Sequence, residues 1–376
     1  MIEIDTVLLK VVSRCNINCQ YCYVYNMGDL SWAQMPKQMS SATIMAVANA
    51  LDGLAKAQSR RFAVVLHGGE PLMLGPAGLD FCLAALRKVL PIEYPFSLQT
   101  NGILITEDIL NVCAIYRTSL GVSLDGPKHV HNRHRVDRQG GGTYAKVLEG
   151  LARLRNHRDT HFLYTGLLAV IDPTSDPHDV YSFFKELKPP SIDFLYRDGN
   201  HTQLPYGKAS MDSTEYGRWF TKLLDIYLAD PTPIPIRVLD DMMRLILGGS
   251  GTKEGIGATD FGIIIIDTDG SLRKNDTLKS AFRGADRFPY HWSVHTHQLP
   301  EITQSSEFAT YYAMQRPTAS ACLACPQLGI CGGGMPVTRW RDDTAYANPS
   351  VYCSDQLLLI GHMRNQLAAC LSSSQI

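Results

Sequence analysis

From residue 6 to about residue 200 the chain alternates short apolar runs with amphipathic stretches at helical spacing, and this alternation restricts the fold more than any other feature. Residues 7–12, 62–66, 96–99, 120–124, 162–170 and 192–196 have the length and side chains of strands. Residues 41–56, 79–89, 107–116, 144–156 and 180–187 lie between them with helical periodicity, and Ser40 or Ser41 is placed to cap the first. Such alternation predicts parallel βαβ units. Six units suit an α/β fold, a partial (β/α)6 TIM-like barrel with its ligands at the carboxyl ends of the strands. A doubly wound open sheet uses the same units, but the motif following each strand here favours the barrel.

Beyond residue 200 the pattern changes. Residues 202–211 read as loop, 214–228 and 236–247 as helix, and Gly248-Gly249-Ser250-Gly251 as a break. An apolar run at 261–267 followed by Asp269-Gly270 predicts a hairpin with a tight turn. A last helix over 355–370 and a polar tail that frays close the chain. Two domains follow: the barrel over 1–230, and a smaller region over 231–376 ending in that helix.

A formal net charge of −1 without a basic stripe argues against nucleic acid as a partner. Apolar runs such as 262–266 are far too short to span a bilayer, so no membrane association is expected. No signal peptide follows Met1, and the cytoplasm is the expected compartment.

Ten cysteines are too clustered for a disulfide framework. Cys82, Cys113 and Cys370 read as small buried hydrophobes. The other seven are candidate metal ligands. Cys15, Cys19 and Cys22 stand as C-x3-C-x2-C directly after the first strand, with Tyr23 behind them. Three thiolates on one loop can hold three irons of a 4Fe–4S cubane and leave the fourth open, whereas structural clusters mostly use four cysteines. A zinc knuckle short of one ligand is the alternative. Cys322, Cys325, Cys331 and Cys353 form a complete four-ligand set, for zinc or for iron–sulfur. His67-Gly68-Gly69-Glu70-Pro71 follows the second strand, two glycines permitting close backbone approach to a ligand and Glu70 offering an anionic acceptor.

The cysteine run and this GGEP segment resemble the signatures of the radical SAM superfamily. The resemblance implies a cluster on Cys15, Cys19 and Cys22 whose open iron chelates S-adenosylmethionine, and reductive cleavage to a 5′-deoxyadenosyl radical. It assigns cofactor contacts to Tyr21, Gly68, Gly69, Glu70, Pro71, Gln99, Asn101, Ser123, Asp125, Arg135 and Leu195. Gln99-Thr100-Asn101-Gly102 is similar to the family's TNG segment. His131-Asn132-Arg133-His134-Arg135 is similar to its H-D-x-x-R, with Asn132 in place of the aspartate. Arg135 would bind the methionyl carboxylate, a task suited to its fork, with Arg133 a second candidate.

Cys322-x2-Cys325-x5-Cys331 and then Cys353 resembles the SPASM extension of radical SAM enzymes that modify peptides. The cysteine expected at the fourth position is Met335, and none occurs between Cys113 and Cys322. The resemblance therefore implies the outer auxiliary cluster without the inner one, and two 4Fe–4S clusters in all. The segments 331–353 and 267–279 are similar to a subgroup of peptide maturases that join an aromatic ring to a nearby Cβ, forming cyclophanes. That implies a ribosomally made precursor peptide with a leader as substrate, an external electron donor such as flavodoxin or ferredoxin, and an auxiliary cluster that takes an electron from the product radical. Asp276 is the expected catalytic base, with Asp260 and Asp269 as rivals, because an aspartate follows the cysteine that Asn275 replaces in related sulfatase maturases. Formylglycine formation, thioether or ether crosslinking and epimerisation use the same parts; a non-catalytic metal-binding protein that recognises a peptide is the reading from another class. No leader-recognition segment is expected within the chain or before Met1, so leader binding would fall to the barrel, the stretch after residue 200 or a separate protein.

Overall fold

The computed structural model describes residues 2–373. They form two compact units: one gathers the chain up to Leu124, His131–Leu167 and Phe261–Ala313, the other Asp125–Val130, Leu168–Asp260 and the chain from Met314. The units describe compaction, a different property from the division of cofactor duties expected at residue 230.

In the first unit, β1 (Thr6–Val12), β3 (Ala63–Gly68), β4 (Phe96–Thr100) and β5 (Thr118–Ser123) lie side by side in parallel. β7 (Tyr164–Val170) follows β5 in the sheet and continues into the second unit, where β8 (Ile192–Leu195) neighbours it. β2 (Ile17–Cys19) and β6 (Arg135–Asp137) form a separate antiparallel pair. The six expected strands thus appear in sequential order, an α/β fold of the partial-barrel type.

The connections are helical where the periodicity predicts. α1 (Ser41–Ala57) starts on Ser40, whose side chain accepts from Thr43 N; α2 is Gly75–Val89, α3 Glu107–Ile115, α4 Lys128–His134 and α5 Tyr144–Asn156. Val7, Leu9, Val64, Leu66, Leu98 and Leu120 are at most 1% exposed and alternate along their strands with mostly half-buried residues, so one face of the sheet is fully covered and the other partly. Truncating Leu9 to alanine would cost about 2–5 kcal/mol.

The predicted hairpin is present, β9 (Ile263–Ile266) pairing antiparallel with β10 (Leu272–Arg273) about Gly270 at φ +83°. Its placement is not legible in the sequence: β9 joins the sheet parallel to β1, Thr6 opposite Ile263 and Leu9 opposite Ile266. A hairpin read with the C-terminal region is thereby an edge of the first unit.

The second unit is mainly helical, with Pro177–Leu187, Glu215–Ala229, Arg237–Ile246 and the terminal helix Cys353–Ser373. Asp355 anchors that helix: its carboxylate takes Lys208 Nζ at 2.6 Å, both side chains at 0% exposure, and Gly217 N at 2.7 Å. Cys82 and Cys113 are buried as expected, but Cys370 is exposed. It lies near the end of the last helix. The helix takes in the start of the tail expected to fray, running to Ser373, and the rest of that tail lies outside the described residues.

Candidate active site

β1 ends at Val12 and the chain turns at once into the loop of Cys15, Cys19 and Cys22. The β2–β6 pair sets Cys19 opposite Arg135, whose Nη1 donates toward Cys19 Sγ at 3.8 Å. The same guanidinium lies 5.5 Å from the ring of Tyr21. Arg138 donates through Nε and Nη2 to the Cys15 carbonyl, at 3.0 and 2.7 Å. Burial, reinforced by the Glu70 carboxylate, pushes the Cys15 thiol up to about 12. Such a thiol gives up its proton only to a bound cation.

Gly68 and Gly69 also have a packing reason to lack a side chain. A Cβ on Gly68 would stand 2.0 Å from Val12 O, and one on Gly69 2.1 Å from Tyr25 Oη and 2.2 Å from Arg14 O. The space at these glycines is taken by the chain entering the cysteine loop, with Gly69 N and Glu70 N donating to Val12 O and Arg14 O. They clamp the loop to β3; Pro71 opens the 3-10 turn Pro71–Leu74 behind them.

Glu70 is 1% exposed. Its carboxylate accepts from Leu72 N at 3.1 Å, Thr100 Oγ1 at 2.7 Å and Asn101 N at 2.8 Å. Three of about four lone-pair sites are used, leaving one. Burial nevertheless lifts Glu70 to about 7, against the pull of those donors and of Arg135. A buried carboxyl in that state is stabilised as an anion by an arriving cation, which fits a ligand ammonium.

The remaining expected contacts divide. Asn101 bridges to the cysteine loop, its Nδ2 2.7 Å from Asn16 Oδ1 and 3.8 Å from Cys15 Sγ. Gln99 Nε2 donates to Ser123 Oγ at 2.9 Å, so these two side chains are tied to each other at adjacent strand ends. Asn132, where the family's aspartate is expected, accepts from Tyr144 N at 3.0 Å and secures the start of α5. Arg133 is exposed. Asp125 and Leu195 belong to the second unit, where Asp125 Oδ1 accepts from Val170 N at 3.0 Å and the Leu195 carbonyl from Ile171 N.

Asp276 is 2% exposed at the start of a 3-10 helix, Asp276–Ser280, capped by Asn275 Oδ1 accepting from Thr277 N. Its Oδ2 lies 3.1 Å from Lys10 Nζ, and its Oδ1 has no hydrogen-bond partner among the described residues. Lys10 holds one oxygen while the lone pairs of the other stay open. Lys10 stands opposite His67 on β3, and β9 ends beside it at Asp267, so the group sits at the carboxyl ends of three neighbouring strands. Burial opposes the Lys10 charge, but Asp276, Asp267 and Asp286 outweigh it and keep the ammonium protonated well above its ordinary range. The enclosed ring of His67 is driven down to about 4, by burial and the Lys10 charge against the pull of Asp276. A second buried pair, Lys279–Asp286 at 2.8 Å, adjoins it. The rivals have other duties: Asp260 pairs with Arg316 at 2.8 Å, and Asp269 accepts from Ser271 N and Oγ in the hairpin turn.

Sequence reading missed Lys10, Arg14 and Arg138. Arg14 donates to the carbonyls of Ser13, Trp32, Ala33 and Met35 and so closes the loop base. A signal for Lys10 existed: a lysine within an apolar run on a largely buried strand must meet a buried anion.

In the second unit, Cys322 and Cys331 lie on the short helices Ser320–Leu323 and Leu328–Cys331, Cys325 lies between them, and Cys353 opens the terminal helix. Burial pushes the Cys331 thiol up to about 11, with Cys353, Cys322 and Cys325 adding to it, so the four are electrostatic neighbours. Met335 Sδ lies where a Cβ on Gly255 would come within 2.8 Å, packed as an apolar residue against that loop. Among the described residues no three His, Cys, Asp or Glu side chains converge on one point. Zinc draws four sulfurs to about 2.3 Å of one centre, whereas a cubane spreads them over separate irons.

Residues 9–181 match the family described as the radical SAM superfamily. Over 361 residues, 93% of each chain, the protein is 24% identical to the cysteine-type anaerobic sulfatase-maturating enzyme of Clostridium perfringens. Over 164 residues, 42% of this chain and 34% of the relative, it is 23% identical to the radical SAM cyclopropyl synthase TigE of Paramaledivibacter caminithermalis. Its fold is similar to that of anSMEcpe with bound AdoMet and Cp18Cys peptide, with TM-score 0.80, 20% identity, and 98% and 99% of the chains covered. It is similar also to Streptococcus suis SuiB bound to the precursor peptide SuiA, with TM-score 0.62, 14% identity, and 93% and 76% covered. No helix among the described residues is long and apolar enough to cross a membrane.

Proposed function

Because residues 9–181 form a radical SAM domain, we propose that this enzyme oxidises a side-chain Cβ of a peptide substrate, in the manner of the anaerobic sulfatase-maturating enzymes. The relatives that match along most of their length shift the weight from cyclophane formation, favoured by the sequence segments, to formylglycine-type oxidation. The observation that carries the reading is the Lys10–Asp276 pair, a buried carboxylate with open lone pairs at the strand ends that also lead into the cysteine loop and Glu70.

Cys15, Cys19 and Cys22 would hold the cluster that coordinates S-adenosylmethionine, and together these groups would supply the radical that removes a Cβ hydrogen. Glu70 would receive the methionyl ammonium and Arg135 the carboxylate; Gln99, Ser123, Asn101 and Tyr21 would line the remainder. After hydrogen loss the substrate must still release one electron and one proton. Asp276 takes the proton at its carboxylate, and Lys10 Nζ, 3.1 Å away, is its buried counter-charge. Cys322, Cys325, Cys331 and Cys353 would hold the centre that takes the electron. The substrate is a precursor or target peptide, the first electron comes from a flavodoxin or ferredoxin, and the cytoplasm is the setting.

A second reading, crosslinking of a Cβ to an aromatic ring, draws on Asn275 and Met335: one caps a helix and the other packs against Gly255, so neither serves as an inner-cluster ligand. One experiment separates the readings. The protein is reconstituted anaerobically, assayed for iron, sulfide and zinc, and given reductant, S-adenosylmethionine and peptides with either a cysteine target or an aromatic neighbour. Replacement of sulfur by oxygen supports the first reading. Loss of two hydrogens with a new intrapeptide bond supports the second. Deoxyadenosine formed with every peptide unchanged would overturn both.

A further inference from the structure

The largest fully buried side chain among the described residues is a cation. Arg339, in the second unit, is 1% exposed. Its Nη2 donates to the carbonyls of Met314 at 2.5 Å and Gln315 at 3.3 Å, while its Nε has no hydrogen-bond partner. Its ionisable neighbours are Cys322, Cys331 and Tyr346, with no carboxylate among them. The side chain is not there by slack packing. It ends a 3-10 turn, Pro336–Arg339, in which Thr338 Oγ1 accepts from Ser350 Oγ and Thr338 O from Val351 N; Asn348 Nδ2 donates to the Arg339 carbonyl at 3.0 Å. The turn is lashed to the segment that delivers Cys353.

A guanidinium taken out of water without a counter-ion is strongly destabilising. Carbonyls satisfy part of its fork but none of its charge. Neutral thiols do not satisfy it either; cysteine sulfurs ligating a metal centre carry the missing negative charge. We infer that Arg339 is the built-in counter-charge of the centre held by Cys322, Cys325, Cys331 and Cys353, with its spare N–H available to those sulfurs. A fixed cation there favours the reduced, more negative state, so Arg339 raises the reduction potential and suits the centre to accept an electron. The inference rests on the reading of that cysteine set as an iron–sulfur site.

The test is a redox titration followed by electron paramagnetic resonance. It uses the full chain with Cys15, Cys19 and Cys22 replaced by alanine, so that the C-terminal centre alone reports. Arg339→Gln is expected to move the midpoint to lower potential, and Arg339→Lys to recover most of the shift. An unchanged midpoint in Arg339→Gln with full iron content overturns the inference and leaves the proposed function standing. Zinc in place of iron overturns both. If Arg339→Gln loads no centre, Arg339→Lys decides: a loaded centre whose exchangeable proton coupling is lost supports the inference. Failure of both variants to load would make Arg339 a strut for Met314 and Gln315 and overturn it.

Discussion

Cys15 feels the carboxylate of Glu70 while Cys19 has the Arg135 guanidinium beside it, whereas Cys322 and Cys331 neighbour Arg339 without a carboxylate. The first set is bipolar, with an anion and a cation in place to grip the two ends of a zwitterionic ligand. The second is monopolar and complete in ligands, an arrangement for storing negative charge. On the proposed function, local charge, more than cysteine count, separates the two cysteine sets.

The largest effects come from breaking each set in turn. Cys19→Ala is expected to abolish deoxyadenosine formation, and Cys353→Ala to leave it running while modified peptide disappears. Chromatography of both products from the same reactions checks this. Equal loss of both products in the two variants would erase the distinction. Next comes the base: Asp276→Asn should lower peptide modification by about 10²–10⁴-fold with continued cofactor cleavage. Lys10→Met should lower peptide modification while cofactor cleavage continues, because Asp276 is left buried without its counter-charge, and Lys10→Arg should restore it. Asp267, Asp286, Lys279 and His67 face the same cluster and are unchanged in these variants.

A smaller effect concerns the scaffold of the second set. Lys208→Met leaves Asp355 buried without its counter-charge and should destabilise by about 3–5 kcal/mol, read from denaturant unfolding. Lys56→Ala, on an exposed pair with Asp52, should change stability by less than about 1 kcal/mol. A pH-dependent effect of intermediate size concerns His67 in protein without cofactors. Its ring is neutral when folded, at about 4 against 6.5 when unfolded. The unfolded chain therefore binds the extra proton, and the contribution is present above pH 6.5 and lost as pH falls toward 4. The difference in stability between wild type and His67→Leu should move by at most about 3 kcal/mol across that window.

Much of this was legible from local pattern. The strand runs, the Ser40 cap, the Asp269-Gly270 hairpin and the helix at 144–156 all follow from residues close in sequence. What the sequence concealed depends on partners far away. Gly68 and Gly69 read as backbone that a ligand can approach, and nothing local shows that Val12 and Arg14 lie where their side chains would be. Lys10 and Asp276 are separated by most of the chain, and no local rule joins them. Cys370 looked like a core residue from its apolar neighbours, and only the packing around the last helix reveals its exposure.

The parallel pairing of β1 with β9 has a consequence for biosynthesis. During translation the outer edge of β1 stays without its neighbour until residue 266 has left the ribosome. At about 5–20 residues per second, that delay is roughly 10–50 s. For that interval the cysteine loop hangs from an unfinished sheet edge, open to the cellular machinery that installs iron and sulfide. Arrival of the hairpin brings Asp276 against Lys10 and closes that edge. Order of synthesis thus sets order of assembly: the cysteine loop forms first, and the Lys10–Asp276 pair closes last.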